Sequence, residues 1–140
     1  MRWRAAVDRE VAPLGLTHAQ YSLLASLRAA SRSGRAPTQR ELAEHATLDA
    51  VYVSKLVQAL VRSGHVSRTP DPTDRRAVRV ELTDLGRATA DQAIPLVRAL
   101  LDELTEPLGG LDATGTRRFA RELQALLAAT PSVSPSATPA

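Results

Sequence analysis

Thr38-Gln39-Arg40-Glu41-Leu42-Ala43-Glu44-His45, followed by Leu48-Asp49-Ala50-Val51-Tyr52-Val53-Ser54-Lys55-Leu56-Val57-Gln58-Ala59-Leu60-Val61-Arg62, is the stretch whose reading decides the fold. Its first four residues form a capping box, in which the Thr38 hydroxyl and the Glu41 side chain each satisfy a backbone donor left over at a helix start. The helix they open ends near His45. Leu48 and Asp49 start a second helix, where Val53, Leu56, Val57, Leu60 and Val61 recur at i, i+3, i+4, i+7 and i+8 and pack inward. At about 100° per residue the opposite face carries Val51, Tyr52, Lys55, Gln58 and Arg62, with Ser54 on its flank. Donors and small apolar groups on one surface suit base edges and phosphates.

Gly64 stops that helix, being free to take a positive φ. Val66 to Thr69 and Ala77 to Leu82 then flank the turn-forming run Pro70-Asp71-Pro72-Thr73-Asp74, and Val78, Val80 and Leu82 alternate with Arg79 and Glu81. The alternation predicts a hairpin with one buried face. At its tip, Asp74 stands two positions before Arg76 and can hold that guanidinium by a bidentate pair, projecting a planar cation suited to a narrow minor groove. The predicted fold class is mainly α with a small β-hairpin wing (α+β): a winged helix-turn-helix domain with further helices at both ends.

Taken together, Arg40-Glu41-Leu42-Ala43, Val53-Ser54-Lys55-Leu56-Val57, Gly64 and the run from Asp71 to Thr83 resemble the MarR family of bacterial transcription regulators. The resemblance covers Leu14 to Gly86 in order, and its specificity lies in the spacing from helix to wing to Leu82-Thr83. It implies a homodimer that binds a pseudo-palindromic double-stranded DNA operator, as a repressor, with release by a small ligand or by oxidation. The expected DNA contacts are Thr38, Gln39, Val51, Tyr52, Ser54, Lys55, Gln58, Arg68, Asp74, Arg75 and Arg76. A site for a small aromatic or anionic effector is expected where the dimer helices meet the second helix of the chain, with Trp3, His18 and Tyr21 nearby. No cofactor is expected.

The 140 residues suffice for one core, so residues 1–129 are read as a single domain. Within it, residues 14–86 are the winged helix-turn-helix, and residues 1–12 and 83–129 the dimerisation helices. Aromatic residues make up only 3% of the chain, which leaves leucine, valine and alanine to build a helical core. There is no cysteine, which excludes disulfides, zinc fingers and the thiol chemistry by which some related regulators sense oxidants. No apolar run approaches a membrane span and the amino terminus lacks a signal-peptide stretch, so a bacterial cytoplasmic location is expected, at the nucleoid when DNA is bound. The net charge of +3 says little by itself, but five arginines against Asp71 and Asp74 between Arg62 and Arg79 concentrate positive charge around the wing.

Outside the central stretch, Trp3, Val7 and Val11 form one stripe of a short first helix that Pro13 ends. Thr17-His18-Ala19-Gln20 is a second capping box, opening a helix through Tyr21, Leu24, Leu27 and Arg28 to about Ala30. Ser31 to Arg35 reads as loop, with a brief strand at Ala36-Pro37. Thr83 caps a long helix to about Glu106, and Pro95 inside it predicts a kink near Gln92 to Ile94. Asp112 is expected to cap a last helix with Phe119, Leu123, Leu126 and Leu127 on one face. The first helix is too short to cover this face and the stripe of Val97, Leu100, Leu101, Leu104 and Leu108 in the long helix before it, so a second subunit about a two-fold axis is the expected cover. Thr130 to Ala140 reads as a disordered tail.

An enzyme would need converging acid, base or nucleophile groups, yet His18, His45 and His65 are isolated in sequence. The competing non-enzymatic reading is a winged helix that binds protein, with Val51 and Tyr52 anchoring a partner. Residue by residue, Lys55 could be a solvated cation, Tyr52 could pack on the neighbouring helix, Ser54 could bond its own backbone, and Arg76 could pair with Asp74.

Overall fold

A computed structural model describes residues 2–129, and the tail expected at residues 130–140 lies outside them. In chain order the described elements are α1 (Arg2–Val11), a 3-10 turn, α2 (His18–Ala30), a second 3-10 turn, α3 (Gln39–Ala46), α4 (Ala50–Arg62), β1 (Val66–Pro70) and β2 (Val78–Leu82). There follow α5 (Asp84–Leu104), a third 3-10 turn and α6 (Thr114–Ala128). They fall into two compact units, divided inside α5 between Leu100 and Leu101.

The first unit starts its helices where local chemistry dictates. Thr17 with Gln20, and Thr38 with Glu41, make both reciprocal bonds of a capping box, while the Asp49 carboxylate accepts from the Val51 and Tyr52 amides at 2.9 and 3.1 Å. Its core is the set of stripes those helices present: Val7 and Val11 of α1, Leu24 of α2, Val53, Val57 and Leu60 of α4 and Val80 of β2 are all fully buried. The start of α5 also belongs to this unit: Ala90, Ala93 and Val97 are buried, and Arg28 of α2 pairs with Asp91 at 2.7 Å.

The hairpin pairs Val66 with Leu82, Arg68 with Val80 and Pro70 with Val78. Its expected buried face shrinks to the base: Val66 and Val80 are buried, whereas Ser67 to Pro70 are all exposed. The brief strand before α3 is a single bridge of Thr38 to Arg79, with the Val80 amide donating to the Pro37 carbonyl at 2.9 Å.

Thr83 caps α5, its hydroxyl accepting from the Gly86 amide at 3.0 Å and donating to the Gly64 carbonyl at 2.6 Å. Gly86 is required there, because a Cβ would lie 1.8 Å from the His65 carbonyl oxygen. Pro95 lies within α5, which runs on to Leu104.

In the second unit the expected Asp112 cap is not formed. Ala113 is the cap position of α6, with no side-chain bond. The reason is the turn before it: Gly109 and Gly110 take φ of 93° and 95°, the Leu111 amide donates to the Asp102 carboxylate at 2.9 Å, and the Thr116 hydroxyl donates to the Gly110 carbonyl. These bonds delay the helix by one position. From Arg117 onward every described residue of α6 is exposed, Leu126 at 71% and Leu127 at 78%. Among the described residues no helix is long and apolar enough to cross a membrane, and no group of His, Asp or Glu is placed to hold a metal.

Candidate nucleic-acid interface

Burying Val53, Leu56, Val57 and Leu60 forces the other face of α4 outward. Val51 is 64% exposed and Tyr52 39%, Lys55, Gln58 and Arg62 are exposed, and Ser54 sits half-buried on the flank. The exposure of Tyr52 weighs against its packing on a neighbouring helix. Thr38 and Gln39 open α3 beside the hairpin, where they border an open concavity with Arg40, Thr73, Asp74 and Arg76. The Thr38 hydroxyl accepts from the Glu41 amide at 3.1 Å, and the Gln39 Oε1 is buried without a partner among the described residues.

On the hairpin, Arg68, Asp74, Arg75 and Arg76 are exposed. The bidentate pair expected between Asp74 and Arg76 is absent. Instead the Asp74 carboxylate accepts from the Arg76 backbone amide at 2.9 Å, which tightens the loop and leaves the guanidinium alone. Two residues apart, a short carboxylate reaches a backbone amide more readily than the end of a long side chain, the Asx-turn geometry. Neither Arg75 nor Arg76 has an ion pair among the described residues.

The carboxylate that does hold a guanidinium is Asp71, which the sequence reading passed over together with Arg79. Asp71 accepts from the Thr73 amide and hydroxyl, both at 2.8 Å, and from the Asp74 amide at 3.1 Å. Its second oxygen meets Arg79 at 2.5 Å, with the two side chains only 4% and 19% exposed. The Thr73 amide and then its hydroxyl, helped by the Asp74 amide and the Arg79 charge against the opposing effect of burial, bring the Asp71 carboxyl down to about 2. The Arg79 guanidinium also donates to the Ala36 carbonyl. Asp-Pro-Thr was a legible turn signal, but strand alternation put Arg79 on a solvent face and gave no hint of residues 36–38 lying beside it.

Trp3, His18 and Tyr21 are each half-buried on α1 and α2. The His18 amide donates to Asp8 at 2.6 Å, joining the two helices, and burial raises the Tyr21 phenol above its usual value against the lowering charge of Arg98. The concavities beside α3, beside the hairpin and at the end of α2 are bordered by none of the three.

Comparison with known proteins bears on this geometry. The sequence model of one family, described as MarR family, matches residues 14–77. The multiple antibiotic resistance protein MarR of Escherichia coli (strain K12) is 36% identical over 103 residues, covering 73% of this chain and 69% of that protein. Among solved structures, a mutant E. coli MarR complexed with operator DNA superposes with a TM-score of 0.74 at 28% identity, covering 91% of this chain and 86% of that one. The M. tuberculosis transcriptional regulator MosR in complex with DNA gives 0.69 at 32% identity, covering 91% and 89%.

Proposed function

The chain belongs to the MarR family of DNA-binding transcription regulators, which are not enzymes, and from that premise we propose that it is a repressor binding a pseudo-palindromic operator as a homodimer. The observation that carries the proposal is the exposed face of α4, with Val51, Tyr52, Lys55 and Gln58, standing beside a hairpin whose tip arginines have no ion-pair partner among the described residues. In this reading α4 enters the major groove, where Lys55 donates to guanine acceptors, Gln58 reads adenine and Val51 meets a thymine methyl. Ser54, Thr38, Gln39 and Arg68 contact the backbone, and Arg75 and Arg76 approach the flanking minor groove.

Dimerisation is supported by the apolar groups the single chain leaves in water. Phe119, Leu123, Leu126 and Leu127 of α6 are 43% to 78% exposed, and Leu104 is 62% exposed. A second copy about a two-fold axis would cover such a stripe with its own equivalent. Release by a small aromatic or anionic ligand near Trp3, His18 and Tyr21 would complete the regulatory cycle.

Selection of genomic fragments by the purified chain, with affinity followed against salt and mass by sedimentation, tests this reading. The expected outcome is a dimer that enriches an inverted repeat with half-site centres about 34–36 Å apart, binding it far more weakly as salt rises. A monomer at micromolar concentration, or attachment to a protein partner insensitive to salt, would overturn it.

A further inference from the structure

We propose that Arg79 is a wing-positioning residue: its guanidinium clamps the loop end of the hairpin, at Asp71, to the segment leading into α3, and so sets where the tip arginines meet a duplex. This rests on the DNA-binding reading above and adds to it a residue that acts without touching DNA.

The hairpin needs such a clamp because apolar packing holds only its base, at Val66 and Val80. From Val80 to Arg76 is four residues, a lever of about 13 Å at strand rise. A rotation of roughly 10° at the base would move the tip by roughly 2 Å on that lever, enough to take a donor out of hydrogen-bond range. Two ties oppose the rotation. The backbone bridge of Arg79 to Thr38 carries the bond from the Val80 amide to the Pro37 carbonyl at 2.9 Å, and the Arg79 guanidinium spans from the Ala36 carbonyl to Asp71. Asp71 in turn gathers Thr73 and Asp74, and its amide donates to the Ala77 carbonyl at 3.0 Å, so one side chain links the α3 approach to both arms of the loop.

The same contacts take Arg79 out of the pool of phosphate-binding cations. Its side chain is 19% exposed and its terminal nitrogens are engaged with Asp71 and Ala36, unlike those of Arg75 and Arg76 at the tip. The arrangement calls for arginine in particular. A planar fork can serve two acceptors on different segments, whereas a lysine ammonium is a single point.

The absence of cysteine makes a distance test clean, since labels at Glu44→Cys on α3 and Arg75→Cys at the tip would be the only ones. Labelled chain diluted with unlabelled chain should give one narrow spin–spin distance, broadened by Arg79→Met, which keeps the stem, and broadened less by Arg79→Lys. In the unlabelled protein, Arg79→Met should weaken operator binding by about threefold but add little to Arg76→Ala, because both act through the same tip contact. An unchanged distance distribution, or losses that add fully in the double variant, would overturn the proposal. If Arg79→Met lowers thermal stability enough to blur binding, the Arg79→Lys distribution decides by the same criterion. The distance measurement uses no DNA, so its failure is distinct from a failure of the chain to bind an operator.

Discussion

The α4 helix and the hairpin face the same side of the functional reading, yet they are held in place by different physics. Every outward side chain of α4 is aimed by a buried apolar stripe on its other face, anchored at Val53, Val57 and Leu60. The outer hairpin has no such stripe and depends on Asp71, Arg79 and backbone bonds to residues 36–38. Changes on the helix surface should therefore alter what is read without moving the helix. Changes in the hairpin should alter where it sits, at little cost to the core.

The largest effect is expected where the two regions share a joint. Gly86→Ala would drive a methyl into the His65 carbonyl, between the end of α4 and the start of β1, and should destabilise the fold by about 3 kcal/mol in urea denaturation, with loss of operator binding. A stable, fully active variant would mean that the joint can open freely. Next comes Val57→Ala, which removes a fully buried anchor of α4 and should cost about 2 kcal/mol of stability. Base preference should survive it at temperatures where the variant is folded. A changed preference would show that the stripe does not aim the helix rigidly.

On the surface, the comparison sharpens into two kinds of binding defect. Lys55→Ala should cost about 2 kcal/mol on the preferred site and relax selectivity at the base it meets. Arg76→Ala should cost about 1 kcal/mol, mostly on A·T-rich flanks, and flatten the salt dependence by roughly one counterion. Equal loss of selectivity in both variants, in a randomised-site selection, would erase the distinction between helix and wing.

The smallest effect at ordinary pH is expected from titrating Asp71. Its carboxyl is held at about 2 in the folded chain against a usual 3.8, so its contribution is complete above 3.8 and is lost as pH falls through about 2. The difference in melting temperature between wild type and Asp71→Asn should accordingly stay constant above pH 3.8 and close as pH approaches 2. A gap that changes between pH 5 and 8 would point to some other group.

How much of this was legible depended on the range of each interaction. The caps at Thr17, Thr38, Asp49 and Thr83, and the division of α4 into buried and outward faces, rest on partners no more than four residues apart, so the sequence by itself determined them. The order helix, helix, hairpin followed, and with it the family. Only the tertiary structure decided which carboxylate takes which donor. Asp71 rather than Asp74 holds a guanidinium, and Arg79 reaches the Ala36 carbonyl 43 positions back in the chain. It also decided that Gly86 lies against His65 and that the Gly109-Gly110 turn, not Asp112, sets the start of α6. The physical reason is that a side-chain hydrogen bond forms only where folding brings donor and acceptor within about 3 Å, and periodicity along the chain records no such meeting.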